Sequence, residues 1–244
     1  MNLKLQDSKY RELIENVESF FHESGELIWD RRNKIKIIRF QNEKIVVKSF
    51  KKPHWFNRII YSFFRDSKAK RSYENSILLE GYVPEPVGYV EQYQQGLFAH
   101  SYFLSAYYPY DFTIREVLTQ DDFPEKEKIF ESFARFTYLL HEKGAEHLDY
   151  SPGNILIRKN ADRYDFKVID INRMRFGVMD VKRRVENFSK LWAKENDLAL
   201  IIKAYARLAG MEESEVLPWA LEASRKHKAR VNMKKRLKGK AVVD

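Results

Sequence analysis

His147-Leu148-Asp149-Tyr150-Ser151-Pro152-Gly153-Asn154-Ile155-Leu156-Ile157 is the stretch on which the reading of this chain turns. Sixteen residues beyond Asn154, Phe166-Lys167-Val168-Ile169-Asp170 ends on a second carboxylate. The apolar runs at 155–158 and 165–171 read as two strands, with a turn near 160–163. One loop and the strand that follows it thus bring Asp149, Asn154 and Asp170 to a single point. A carboxylate there suits an attacking hydroxyl. An amide oxygen and a second carboxylate suit Mg²⁺ held against phosphates.

His-x-Asp-x4-Asn, then a hairpin and an Asp, is the pattern of the kinase catalytic loop. On this pattern Asp149 is the catalytic base, Asn154 and Asp170 are the metal ligands, and His147 is a packing residue of the loop. The upstream half supplies matching parts. Residues 44–50 (KIVVKSF) alternate as a strand, with Ile45, Val47 and Ser49 on one face and Val46, Lys48 and Phe50 on the other. Lys48 stands where a kinase strand carries its phosphate-binding lysine. A buried lysine needs a carboxylate, and Glu74, in the helix that follows, is the expected partner; Glu80 is the second choice. An ordinary helix-face pair of Glu74 with Lys70 is the other reading.

Working outward, helical spacing is expected at 7–22 and over 56–79, with strands at 26–30, 34–40, 89–93 and 97–107. The second half reads as mostly helical, at 111–118, 124–143, 179–195, 196–210 and 212–236. The expected fold is α+β and two-lobed: a small strand-rich lobe over 1–108 that binds nucleotide, and a helical catalytic lobe over 109–244. The stretch around Trp55, Phe56, Arg58, Tyr61, Phe63, Phe64 and Arg65 reads as a core-facing aromatic stripe, with a membrane-surface helix as the alternative.

The chain has 244 residues and no cysteine, which excludes disulfides, thiolate metal sites and a Cys nucleophile. No run reaches the length of a membrane span, and the N-terminus lacks a signal-type apolar core. A cytoplasmic protein is expected. The net charge is +9, and residues 225–244 alone carry +8. That tail reads either as a site for an anionic partner or as a solvated helix end. The histidines at 22, 54, 100, 141 and 227 do not group at metal-ligand spacing.

Three segments carry a family resemblance: HLDYSPGNILI, KVIDINRMRFG and YENSILLEGYVPEPVGY. With Asp170-Ile171-Asn172-Arg173 in place of Asp-Phe-Gly, the chain resembles the lipopolysaccharide core kinases, the Kdo/WaaP family of small protein-kinase-like enzymes, over about residues 25–210. The resemblance implies ATP and Mg²⁺ as cofactors, and a hydroxyl of the inner-core sugar Kdo, or of a heptose, as acceptor. Kdo-lipid A is then the partner, and residues 225–240 would dock an anionic membrane surface from the cytoplasmic side. Lys48, Asn154 and Asp170 would bind the nucleotide and its metal, with Arg173 facing the acceptor or packing on the loop.

The chain departs from the kinase pattern in places. There is no G-x-G-x-x-G, only Gly25, so phosphate cover falls to other backbone amides or to Arg31 and Arg32. Ser151 replaces the catalytic-loop lysine of protein kinases, which points away from a peptide substrate. Two other functions fit less of the sequence. A small kinase-like ATPase associated with tRNA modification rests on the basic tail alone, with no RNA-binding motif beside it. A kinase for a cationic small molecule would need an acidic site, and the first half is basic.

Overall fold

The computed structural model describes residues 1–31, 33–239 and 241. Arg32, one of the two arginines expected to cover phosphates, lies outside the described residues, as do Lys240 and Asp244 of the tail. The chain divides into two compact units: Met1–Pro109 together with Asp170–Arg173, and Tyr110–Ile169 together with Met174–Asp244.

The first unit is built on a six-stranded sheet. Along the chain come β1 (Asn2–Leu5), α1 (Arg11–Glu15), α2 (Val17–Glu23), β2 (Glu26–Asp30), β3 (Asn33–Phe40), β4 (Glu43–Phe50), α3 (Trp55–Phe63), α4 (Lys68–Leu78), β5 (Pro86–Gln94) and β6 (Leu97–Ala106). The strand order is β1-β5-β6-β4-β3-β2, and every pairing is antiparallel. The β5–β6 turn is Gln95-Gly96, with both φ positive, the backbone of a tight hairpin turn whose twist matches its strands.

The alternation along β4 decides where Lys48 goes. Ile45 and Val47 point into a cluster with Leu13, Ile14, Val17 and Phe21 of α1 and α2. Lys48 and Phe50 point to the opposite face, where Phe50 packs with Ala69 and Tyr73 of α4 and Tyr89 of β5. The N-terminal helices therefore lie on the other side of the sheet from Lys48. Gly88, in β5, makes that packing possible. A Cβ there would sit 2.4 Å from the Lys4 carbonyl and 2.5 Å from the Ile14 Cδ1. Since backbone is one of the obstacles, β1 itself must move, and Gly88→Ala is expected to cost about 1–3 kcal/mol. A lowered urea midpoint with unchanged slope measures it.

The single helix expected over 56–79 is two. It breaks between Phe63 and Lys68, where Ser67 takes an extended backbone and its hydroxyl accepts from the Lys70 N–H at 3.0 Å. A residue that caps a new helix ends the old one. The helix expected at 7–22 is likewise interrupted, at Asn16. Strand β1 was not expected at all.

The second unit holds β7 (Phe112–Thr113), α5 (Ile114–Thr119), α6 (Lys126–Glu142), β8 (Ala145–His147), β9 (Ile155–Asn160), β10 (Arg163–Val168), β11 (Met174–Phe176), α7 (Val181–Asn187), α8 (Glu195–Ala209) and α9 (Glu213–Arg236). Buried Phe130, Phe133, Thr137 and Leu140 form one face of α6. Phe133 stacks on Tyr150 at 5.8 Å between ring centres and meets Phe166 of β10 at 5.9 Å. Strands β9 and β10 form the expected hairpin, and β11 pairs with β8 at Met174 and His147. Asp170 lies two residues past the end of β10, beyond the strand rather than at its last position.

Candidate active site

The loop around Asp149 is fixed by backbone hydrogen bonds and by its neighbours in sequence. Tyr150 is fully buried, and its hydroxyl lies 2.8 Å from that of Thr137 in α6. That anchor leaves Asp149, one residue earlier, partly exposed. Ser151 N–H donates to the Asp149 carbonyl at 2.7 Å, and Asn154 N–H donates to the Ser151 carbonyl at 2.9 Å. The Asn154 side-chain amide also donates to the Asp149 carbonyl, at 2.9 Å. With its nitrogen committed there, Asn154 keeps its carbonyl oxygen as a hard donor of the kind Mg²⁺ takes. The Arg115 guanidinium packs over Gly153, 2.5 Å from where a Cβ would be, so a side chain there would displace that flexible arginine end.

His147 is engaged at both ring nitrogens. The Asp149 N–H donates to its Nδ1 at 3.0 Å, so the ring proton sits on Nε2, which faces the Ile169 carbonyl at 3.0 Å. The ring holds the Asp149 loop to the end of the hairpin. Ile169 N–H in turn donates to the Asn154 carbonyl at 2.9 Å, and Asp170 is the next residue along the chain.

Within the first unit, Lys48 Nζ meets Asp170 Oδ1 at 2.7 Å. The lysine side chain is only 13% exposed, so an ammonium there depends on its carboxylate. The same Asp170 oxygen accepts from the Asn172 side chain at 2.6 Å. Asp170 has a left-handed backbone, with φ at 58°, a conformation that Asp tolerates better than most residues. Asn75 of α4 donates to the Ile171 carbonyl at 2.6 Å and holds that segment.

The expected Lys48–Glu74 pair is corrected. Glu74 is exposed and lies 3.8 Å from Lys70, one turn back on the same helix. Asn75, a hundred degrees around the helix, is the residue that faces the Asp170 segment, and the lysine takes its carboxylate from Asp170 instead. Glu80 is also exposed. Arg173 is exposed, and its charge, with that of Arg65, adds to burial in depressing the Arg71 guanidinium below its ordinary value.

One residue near Asp149 escaped the sequence reading. Lys190 donates to the Leu148 carbonyl at 2.7 Å. Burial pushes its ammonium below the usual range, while Glu146 and Asp149 act against that shift. A lysine between Ser189 and Leu191 carries no motif that would mark it. The neighbouring arginines hold the scaffold: Arg183 bonds Glu146 at 2.7 Å and Arg184 bonds Glu142 at 2.5 Å.

Beneath the loop runs a buried polar string. The Asn187 side chain donates to the His147 carbonyl at 3.0 Å and faces His141 Nε2 at 3.2 Å, and His141 Nδ1 lies 2.8 Å from the Tyr205 hydroxyl. Burial lowers the His141 pKa to about 4, against 6.5 for the free side chain. The folded protein thus holds a neutral ring that the unfolded chain would protonate. Its stability is full above pH 6.5 and is lost as pH falls towards 4. Unfolding at pH 5 is expected to need about 2 kcal/mol less than at pH 7 from this group, and a His141→Gln variant should flatten that slope in urea titrations.

A model of the lipopolysaccharide kinase (Kdo/WaaP) family matches residues 83–210, more than half of the chain. This chain belongs to the lipopolysaccharide kinase (Kdo/WaaP) family. Members of the Kdo/WaaP family are phosphotransferases. The match takes in Asp149, Asn154 and Asp170, while Lys48 and Glu74 precede it. No curated protein matches by sequence. Among solved structures, the fold is similar to that of WaaP in complex with acyl carrier protein, with a TM-score of 0.61 at 17% identity, covering 93% of this chain and 99% of that one. That likeness gives the Kdo/WaaP chain a kinase-like fold. Among the described residues no three His, Cys, Asp or Glu side chains group as a metal site.

Proposed function

We propose that this protein transfers the terminal phosphate of ATP to a hydroxyl of Kdo in the lipopolysaccharide inner core, on the cytoplasmic side of the membrane. The observation that carries the reading is the Lys48–Asp170 ion pair, in a chain whose Asp149–Asn154 loop has the kinase spacing.

Asp149 accepts the proton of the acceptor hydroxyl as its oxygen bonds to the terminal phosphorus and the bond to the leaving ADP breaks. Lys48 binds phosphate oxygens and so neutralises charge. Asn154 and Asp170 are the residues that would hold Mg²⁺, which when bound would neutralise phosphate charge. Lys190 sets a positive charge beside the loop, in the role that Ser151 cannot fill. Arg173, exposed in a cluster with Arg65 and Arg71, suits an anionic acceptor such as the Kdo carboxylate.

The basic tail supports a docking role less than its charge alone suggests. Arg225 pairs with Glu195 at 2.7 Å, Lys226 with Glu222 at 2.5 Å, and Lys228 donates to the Ala193 carbonyl at 2.8 Å. Membrane contact through residues 225–240 therefore falls to the residues beyond Lys228. The deciding experiment is mass spectrometry of Kdo-lipid A after incubation with ATP, Mg²⁺ and protein. A gain of one phosphate supports the reading. No gain, with nucleotide binding intact, sinks it.

A further inference from the structure

Helix α3 is built the wrong way round for a helix covering a sheet. Ile59 and Ile60 are half-buried, but the side that meets the β5–β6 hairpin is polar. Arg58 donates to the carbonyls of Phe98 at 2.7 Å and Gln94 at 3.2 Å, and the Ser62 hydroxyl accepts from the Phe98 N–H at 2.8 Å. Tyr61 adds a ring on this side, 5.5 Å from that of Phe98. Its outward side is aromatic. Trp55, Phe56, Phe63 and Phe64 are 63, 60, 69 and 82% exposed. At 100° per residue, Phe56 and Phe63 point the same way, and Trp55 and Phe64 flank them. The core-facing stripe expected from sequence is therefore corrected: the rings face solvent.

Single exposed rings are ordinary, but four on one short helix and its C-cap residue are not. Their surroundings are cationic. Residues 51–65 contain Lys51, Lys52, Arg58 and Arg65 and no acid. At the foot of the helix is a cleft of about 440 Å³ lined by Phe50, Lys51, Lys52, His54, Tyr61 and Lys68. No carboxylate is among the described residues that line it. The neighbouring acid, Asp66, is taken up by Lys70 at 2.7 Å.

We infer that α3 is a docking surface for an anionic lipid bilayer. The rings enter the headgroup–acyl boundary, and the lysines of the cleft take lipid phosphates. An indole beside cations suits that boundary, and the missing acids match a negatively charged surface. No step of this depends on the kinase reading.

The test uses the full chain and vesicles. Flotation with phosphatidylglycerol-containing vesicles should capture the protein, salt should weaken capture, and pure phosphatidylcholine should retain little. The Trp55 emission should shift to the blue on anionic vesicles, and Trp55→Phe should remove that shift. A variant with Trp55→Ser, Phe56→Ser, Phe63→Ser and Phe64→Ser should bind at least about tenfold more weakly. Its circular dichroism and melting should match the parent, because the four rings bury little. The inference is overturned if the parent does not bind, if the four-serine variant binds equally, or if Lys234→Gln, Lys235→Gln and Arg236→Gln together abolish binding while the four-serine variant keeps it. A concentration-dependent dimer that the four serines dissolve would overturn it too, by assigning the face to a second copy.

Discussion

Asp149→Ala should lower the turnover of phosphate transfer to Kdo-lipid A by about 10²–10⁴-fold, with nucleotide binding retained. The separation follows from where the residue sits. Its backbone, not its carboxylate, accepts from Ser151 and from the Asn154 side chain, and Tyr150 anchors the loop to α6. Truncation at Cβ leaves all of those bonds in place. The lost group is the proton acceptor alone, so the deficit should appear in kcat with KM for ATP little changed. Asp149→Asn should behave alike, since an amide keeps the shape and cannot take a proton at neutral pH. A variant that still phosphorylates within a few-fold of the parent would remove Asp149 from the chemistry.

Asp170→Ala should abolish transfer and also weaken the fold. Lys48 would lose its 2.7 Å partner at a position nearly closed to water, and an unpaired buried polar group costs about 1–3 kcal/mol. Asn172 would lose its acceptor at the same time. Asp170→Asn is the informative companion. Asn also tolerates the left-handed backbone, so stability should recover in part while transfer stays absent, the charge being what a metal and Lys48 both need. Removing Lys48 as well, as Lys48→Met with Asp170→Ala, should restore more stability than either change predicts alone. Glu74→Gln serves as the control. Its carboxylate reaches Lys70 on an exposed helix face, where a pair contributes under about 0.5 kcal/mol. A large loss of activity in Glu74→Gln would reinstate it as the lysine's partner.

Much of this was legible in the sequence because it rests on short spacings. The hairpin after the Asp149–Asn154 loop, and the face of β4 that carries Lys48, follow from alternation and turn chemistry within a dozen residues. What failed rests on angles and distant neighbours. Glu74 and Asn75 differ by one position, and only the rotation of α4 decides which of them meets the Asp170 segment. The break after Phe63 depends on a serine cap inside a run that otherwise looks continuous. Lys190 has no local signature, since its importance comes from the Leu148 carbonyl 42 residues away in sequence. The direction of the α3 rings failed for the same reason: the spacing shows that they share a side, not which side the sheet takes.

The two sides of α3 are constrained differently. Arg58 and Ser62 are tied to carbonyl and amide groups of the β5–β6 hairpin, so mutation there is punished by the fold wherever the hairpin exists. Trp55, Phe56, Phe63 and Phe64 mainly meet one another and solvent, Trp55 against Phe56 and Phe63 against Phe64. Selection can rewrite them freely to suit whatever surface the protein meets, and a lineage that moved to a different surface would be expected to change these four positions first while leaving the two beneath them alone.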